Sequence, residues 1–183
     1  MRIVFLAVLG CFISALVFSQ SVSATPITKD AANAYYEQCN SQPAQGITQK
    51  SKEYLCACTA AKMMQSMQVE DVQAMAQQNQ AGRDAMNNML INVYAPCMNY
   101  PAKDHYYNNC ITDPKTKTLS RNPQGLCNCM ADQVANYLGS SGPDIFRDIL
   151  SRNPNITDPM TALTNDQKFQ QFARSKLLSC VTR

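Results

Sequence analysis

The sequence predicts an all-α protein made of two tandem, disulfide-stapled helical modules of about four helices each, and three observations predict it. The first is an internal repeat: "YYEQCNSQPAQGITQKSKEYLCAC", Tyr35 to Cys58, returns at a constant offset as "YYNNCITDPKTKTLSRNPQGLCNC", Tyr106 to Cys129. The second is the cysteine set. Of nine cysteines, Cys11 falls in an apolar leader and the other eight divide into C-x16-C-x-C-x38-C and C-x16-C-x-C-x50-C. The third is apolar spacing at helical period, separated by Pro, Gly, Asn and Asp punctuation.

Residues 1–24 read as a secretory signal peptide: Arg2, an apolar run from Ile3 to Phe18, and a small residue, Ala24, at the cleavage position. The run is short for a spanning helix, which needs about 20 apolar residues, and no later stretch is apolar enough to span a bilayer. Export places the chain in an oxidising compartment, so the even cysteine set reads as a disulfide framework. The sixteen basic and thirteen acidic side chains nearly balance, and Arg2 belongs to the leader. That balance argues against a nucleic-acid partner. It is uneven by half, with five basic against six acidic groups in residues 25–101 and ten against seven in residues 102–183.

In the first module, residues 25–101, Thr28 caps a helix carrying Ala31, Ala32, Tyr35, Tyr36 and Cys39, and "NSQPAQG" turns the chain. Further helices are predicted from about Ser51 to Met67, Val69 to Gln78 and Arg83 to Cys97, with Pro96 loosening the last turn. In the second module, residues 102–183, the equivalents run from Lys103 to Cys110, Gly125 to Leu138, Pro143 to Arg152 and Asn165 to Val181. Ser141-Gly142-Pro143-Asp144 reads as a helix start and Thr164-x-x-Gln167 as a capping box. "NPNITDPMTA" reads as a loop containing the sequon Asn155 to Thr157. Glu70, Asp71 and Asp144 fall in first turns, where acidic groups suit the helix dipole.

Residues two apart on a helix diverge by about 200°, so Cys56 and Cys58, like Cys127 and Cys129, must reach different neighbours. The Cys127 face continues through Met130, Ala131, Val134 and Leu138, whereas the Cys129 face continues through Asp132, Gln133 and Asn136. On that basis Cys56 is expected to pair with Cys97 and Cys127 with Cys180, leaving Cys39 with Cys58 and Cys110 with Cys129. The opposite crossing within each module also satisfies the spacings.

Several constellations offer chemistry. Met63, Met64 and Met67 lie within one and a half helical turns and could hold Cu(I) through thioether sulfur. Met63 and Met67 align in the repeat with Val134 and Leu138, so core packing explains them as well. His105 is the single histidine, in "KDHYY" where the first module has Ala34. A hydrolytic triad would have to pass through it, and the chain carries neither GxSxG, HExxH nor a phosphate-binding glycine loop. Two features read as binding surface. Neighbouring rings in Tyr35/Tyr36 and Tyr106/Tyr107 diverge by about 100°, so one of each pair is expected at the surface. Lys115, Lys117 and Arg121 cluster in "TDPKTKTLSRNPQG", read as a loop that meets anionic headgroups or an acidic partner.

With its Tyr-Tyr-x-x-Cys and Leu-Cys-x-Cys elements, the chain resembles small cysteine-paired helical proteins exported by gram-negative bacteria, including genus-restricted substrates of type II secretion. The resemblance implies a periplasmic or secreted helical protein, a host-directed virulence factor among the options, and transfers no catalytic or ligand residue. The expected function is an exported, non-enzymatic binding protein or secreted effector, without cofactor, that contacts a protein, a glycan or an anionic membrane surface. The alternatives are a copper-handling protein and an enzyme of unrecognised type.

Overall fold

The computed structural model describes residues 24–44, 46–156 and 158–181. The leader assigned to residues 1–24 lies outside them except for Ala24, as does Thr157 of the sequon. Among the described residues the chain is all-α, with one isolated antiparallel pairing, Pro26 with Gln68. That pairing ties the start of the described chain to the middle of the first half. The Thr25 amide and hydroxyl both donate to the Glu70 carboxylate, at 3.0 and 2.7 Å.

The first half holds α1 (Lys29–Ser41), α2 (Gln49–Ser66), α3 (Val69–Met75) and α4 (Gln80–Asn88). Thr28 caps α1 through the Ala31 amide, and Asp71 accepts the Gln68 amide at the start of α3, as expected of first-turn acids. Beyond α4 the chain widens into a π-helical turn, Met89–Tyr94, then tightens into a 3₁₀ turn, Ala95–Cys97. Pro96 supplies no amide for an α-helical bond, which accounts for the altered end.

The second half holds α5 (Asn99–Thr112), α6 (Pro114–Leu119), α7 (Pro123–Arg152), α8 (Pro159–Asn165) and α9 (Gln167–Val181). The elements depart from the sequence expectations at several points. The boundary between residues 101 and 102 falls inside α5, where Pro101 and Ala102 are buried, so the halves share a helix. The "TDPKTKTLSRNPQG" segment contains α6, because Asp113 caps it through the Lys115 amide and Thr116 is buried, donating its hydroxyl to the Cys110 carbonyl at 2.7 Å. The helices predicted on either side of Ser141-Gly142-Pro143-Asp144 are one helix, α7, and Asp144 lies inside it. Its buried stripe runs without interruption through Val134, Leu138, Gly142, Phe146 and Ile149, so core packing outweighs the single hydrogen bond that Pro143 removes. Finally, α8 occupies part of the predicted "NPNITDPMTA" loop, and Asp166 rather than Thr164 caps α9, accepting the Phe169 amide at 2.9 Å.

Two cores form. One gathers Ile27, Ala32, Ala60, Met63, Met67, Met89 and Val93 between α1, α2 and the π turn. The other runs along α7, receives α5, α8 and α9, and also takes in Leu90, Ala95 and Met98 from the first half. The halves are therefore joined by shared core as well as by α5. Among the described residues no helix is long and apolar enough to cross a membrane.

The four disulfides stay within each half, but their crossing is the opposite of that favoured from helical faces. Cys39 pairs with Cys56, Cys58 with Cys97, Cys110 with Cys127, and Cys129 with Cys180. The face criterion identified the buried cysteines correctly, since Cys56 and Cys127 are fully buried. It misassigned their neighbours. The short first helix of each half packs on the buried stripe and carries Cys39 or Cys110 there. In the second half α9 docks on the flank of α7, where Tyr137 stacks on Phe172 with ring centroids 4.1 Å apart and Gln133 donates to the Cys180 sulfur at 2.9 Å. The bridges close segments of 17, 39, 17 and 51 residues. On chain entropy each contributes about 3 to 4 kcal/mol.

Candidate functional site

The residues expected to meet a partner separate in space. Met63 and Met67 are buried in the first core, whereas Met64 points outward and is 42% exposed. Met64 is thus separated from the core that holds both Met63 and Met67. Among the described residues no group of three or more His, Cys, Asp or Glu side chains could hold a metal ion. Tyr36 and Met64 border a shallow depression with Ala57, Ala60 and Ala61. Tyr35, Tyr36, Tyr106 and Tyr107 are all half-buried and pack against the two cores. Tyr106 meets the edge of Phe169, and burial, reinforced by the Asp166 carboxylate, pushes its hydroxyl up to about 12. His105 is half-buried beside Asn109 and Tyr106, and burial lowers its pKa. Lys115, Lys117 and Arg121 are exposed on and just after α6, around Leu119, which is 41% exposed.

The tyrosines that do reach the surface are Tyr54 and Tyr100, whose ring centroids lie 4.3 Å apart. Tyr54 stands one helical turn before Cys58, and Tyr100 three residues after its partner Cys97. The disulfide therefore brings the rings together.

The same logic applied to the other bridge builds the most developed site. Lys52 stands one turn before Cys56, on the face that the Cys39–Cys56 bridge holds against the end of α1. Its side chain is consequently sunk between α1 and α2, leaving the residue 6% exposed, and its Nζ donates to the Asn40 carbonyl at 2.6 Å. Lys52 lines a groove of about 490 Å³ together with Tyr35, Gln38, Gln42, Pro43, Ala44, Ile47, Leu55, Tyr94 and the bridge itself. This volume lies in the range of small-molecule sites, which combine apolar walls with a few polar groups. The apolar wall is Pro43, Ala44, Ile47 and Leu55. The polar groups are the Lys52 ammonium, two glutamine amides and two phenols.

The phenols are paired, Tyr35 Oη to Tyr94 Oη at 3.1 Å. Two hydroxyls carry two protons, and one is used between them, so one O–H is left to donate elsewhere. Burial first, and then the neighbouring Tyr35, raise the Tyr94 pKa well above the usual phenol range, which keeps its proton in place. The segment that carries Ile47 is tied to the second half. Asp104 on α5 accepts from both the amide and the hydroxyl of Thr48, at 2.7 and 2.6 Å, one residue beyond Ile47. Burial opposes ionisation of Asp104, but hydrogen bonds from Ser51 and Thr48, with Lys103 nearby, outweigh it and hold the carboxyl below its ordinary value.

Lys52 differs from the other buried charged residue among those described. Asp166 is matched by the Arg152 guanidinium at 2.7 Å and by the Phe169 amide. Lys52 has a carbonyl and, among the described residues, no carboxylate within ion-pair reach. Sequence reasoning selected Tyr35 but missed Lys52, Tyr94 and Tyr54. The usable signal was the one-turn offset of Lys52 and Tyr54 from Cys56 and Cys58, and it becomes legible only with the correct crossing. No family model matches the chain, and neither a curated protein nor a solved structure matches it significantly.

Proposed function

We propose that the chain is an exported, non-enzymatic binding protein whose ligand enters the groove around Lys52. One observation carries this reading: the Lys52 side chain is sunk in the groove wall, its ammonium bonded to a backbone carbonyl and, among the described residues, to no carboxylate. Removing a charge from water costs several kcal/mol, and proteins normally meet that cost with a partner, as Asp166 does. A fold of marginal stability retains an uncompensated charge where function uses it. Export rests on the leader pattern, the four disulfides and the resemblance to exported cysteine-paired helical proteins.

The test is occupancy of the groove. Anilinonaphthalenesulfonate, a fluorescent amphiphile with an apolar ring system and one sulfonate, should bind the disulfide-bonded protein saturably, one molecule per chain. Ala44→Trp, which fills the groove from its rim, should abolish that binding with the circular dichroism unchanged. Equal probe binding by the folded variant, or none by the unaltered protein, rejects the reading.

A second reading, contact with an anionic membrane surface, is supported by a different observation. Lys115, Lys117 and Arg121 are exposed around the apolar Leu119, and none is in an ion pair among the described residues.

A further inference from the structure

Resting on the groove reading, we infer that the ligand is a single-chain amphiphile with one carboxylate, its head on the Lys52 ammonium and its tail along Pro43, Ile47 and Leu55. Charge fixes the head. One unbalanced ammonium calls for one negative charge, and a dianion would leave an excess buried in turn. An ammonium has three donors, of which the Asn40 carbonyl takes one, and two remain for the two oxygens of a carboxylate. The spare hydroxyl proton of the Tyr35–Tyr94 pair supplies a further donor in the same groove.

The walls fix the tail. Leu55, Ile47, Pro43 and Ala44 border the groove with the Cys39–Cys56 bridge, and none of them has a side-chain group that could hydrogen-bond a sugar or a peptide. A polar ligand would gain from Lys52, the glutamine amides and the phenols and lose along Pro43, Ala44, Ile47 and Leu55. An apolar chain loses nothing there and gains in proportion to the surface it removes from water. The groove is also prepared in advance, because a disulfide forms part of its lining and Asp104 fixes Thr48, the neighbour of Ile47. Little ordering remains for the ligand to impose.

The experiment compares four probes on the disulfide-bonded protein by calorimetry, below their micellar concentrations. These are dodecanoate, its methyl ester, dodecyltrimethylammonium and acetate. The inference expects one saturable dodecanoate site per chain and at least about tenfold weaker binding of the ester and the cation, the difference one charge-assisted contact makes. Acetate should not bind measurably. Lys52→Met should reduce dodecanoate affinity to that of the ester and leave the ester unaffected. Should that variant not fold, the acid–ester comparison on the unaltered protein decides alone. Equal affinity for acid and ester overturns the anionic head and leaves the groove standing, as equal affinity for acetate and dodecanoate overturns the tail. Failure of all four probes while anilinonaphthalenesulfonate still binds overturns the ligand class, whereas failure of that probe too removes the groove reading itself.

Discussion

Lys52 gives the groove its charge, and Asp104 anchors Thr48 in the segment that borders it. Asp104 holds Thr48, and through it the position of Ile47. Because the folded-state pKa of Asp104 lies below its ordinary value, its stabilisation is complete above that ordinary value and is lost as the pH falls through the lowered one. Asp104→Asn should therefore cost about 1 kcal/mol at neutral pH and flatten this part of the acid dependence, read by urea unfolding at a series of pH values. A variant with the parent's full acid dependence would mean that Asp104 does not anchor Thr48. At this scale the sequence was partly legible. The Thr28 cap, the first-turn role of Asp71 and the burial of Cys56 and Cys127 follow from spacing alone. Lys52 and the Tyr54–Tyr100 pair did not follow, because each is placed by a disulfide crossing, and a helical face shows that a cysteine is buried without showing what it is buried against.

At the scale of elements, α7 shows where local punctuation yields to packing. Gly142 lies against the 3₁₀ turn, and a Cβ there would stand 2.7 Å from the Ala95 carbonyl oxygen, while one at Gly139 would meet only an ordinary contact at 3.9 Å. Gly142→Ala should therefore destabilise the protein by about 1 to 3 kcal/mol, and Gly139→Ala should stabilise it by up to about 1 kcal/mol. Denaturant unfolding separates the two, and matching effects would mean that the close approach of α7 to Ala95 is wrong. "SSGP" looks like a helix boundary because Gly and Pro disfavour helix locally. The same glycine permits the approach that buries Phe146 and Ile149, and that is a tertiary gain. The second element with an external role is α6. Replacing Lys115, Lys117 and Arg121 with Gln should leave folding intact, since Thr116 supplies the anchor. It should weaken binding to anionic liposomes by on the order of 1 kcal/mol for each residue near the surface, with salt doing the same to the parent. Unaltered binding in the triple variant would remove the membrane reading.

At the scale of the whole molecule, the repeat was the most informative feature of the sequence, since it divided the cysteines correctly between halves. It concealed how the halves join, because the shared helix α5 and the residues Leu90, Ala95 and Met98 that enter the second core have no repeat signature. Peptide mapping of the non-reduced protein should recover Cys39–Cys56, Cys58–Cys97, Cys110–Cys127 and Cys129–Cys180. Cys56–Cys97 with Cys39–Cys58 in place of the first two would displace both Lys52 and the Tyr54–Tyr100 pair. The central claim is that this disulfide-locked scaffold keeps Lys52 buried for a ligand rather than for stability. Thermal unfolding with increasing dodecanoate, for the parent and for Lys52→Met, tests it most directly, because a ligand that binds only the folded state raises the midpoint with its concentration. The account predicts a rising midpoint for the parent and, for Lys52→Met, a rise displaced to at least about tenfold higher dodecanoate concentration; without ligand the variant should be at least as stable as the parent. A flat midpoint for the parent, or an equal rise for both proteins, would contradict it.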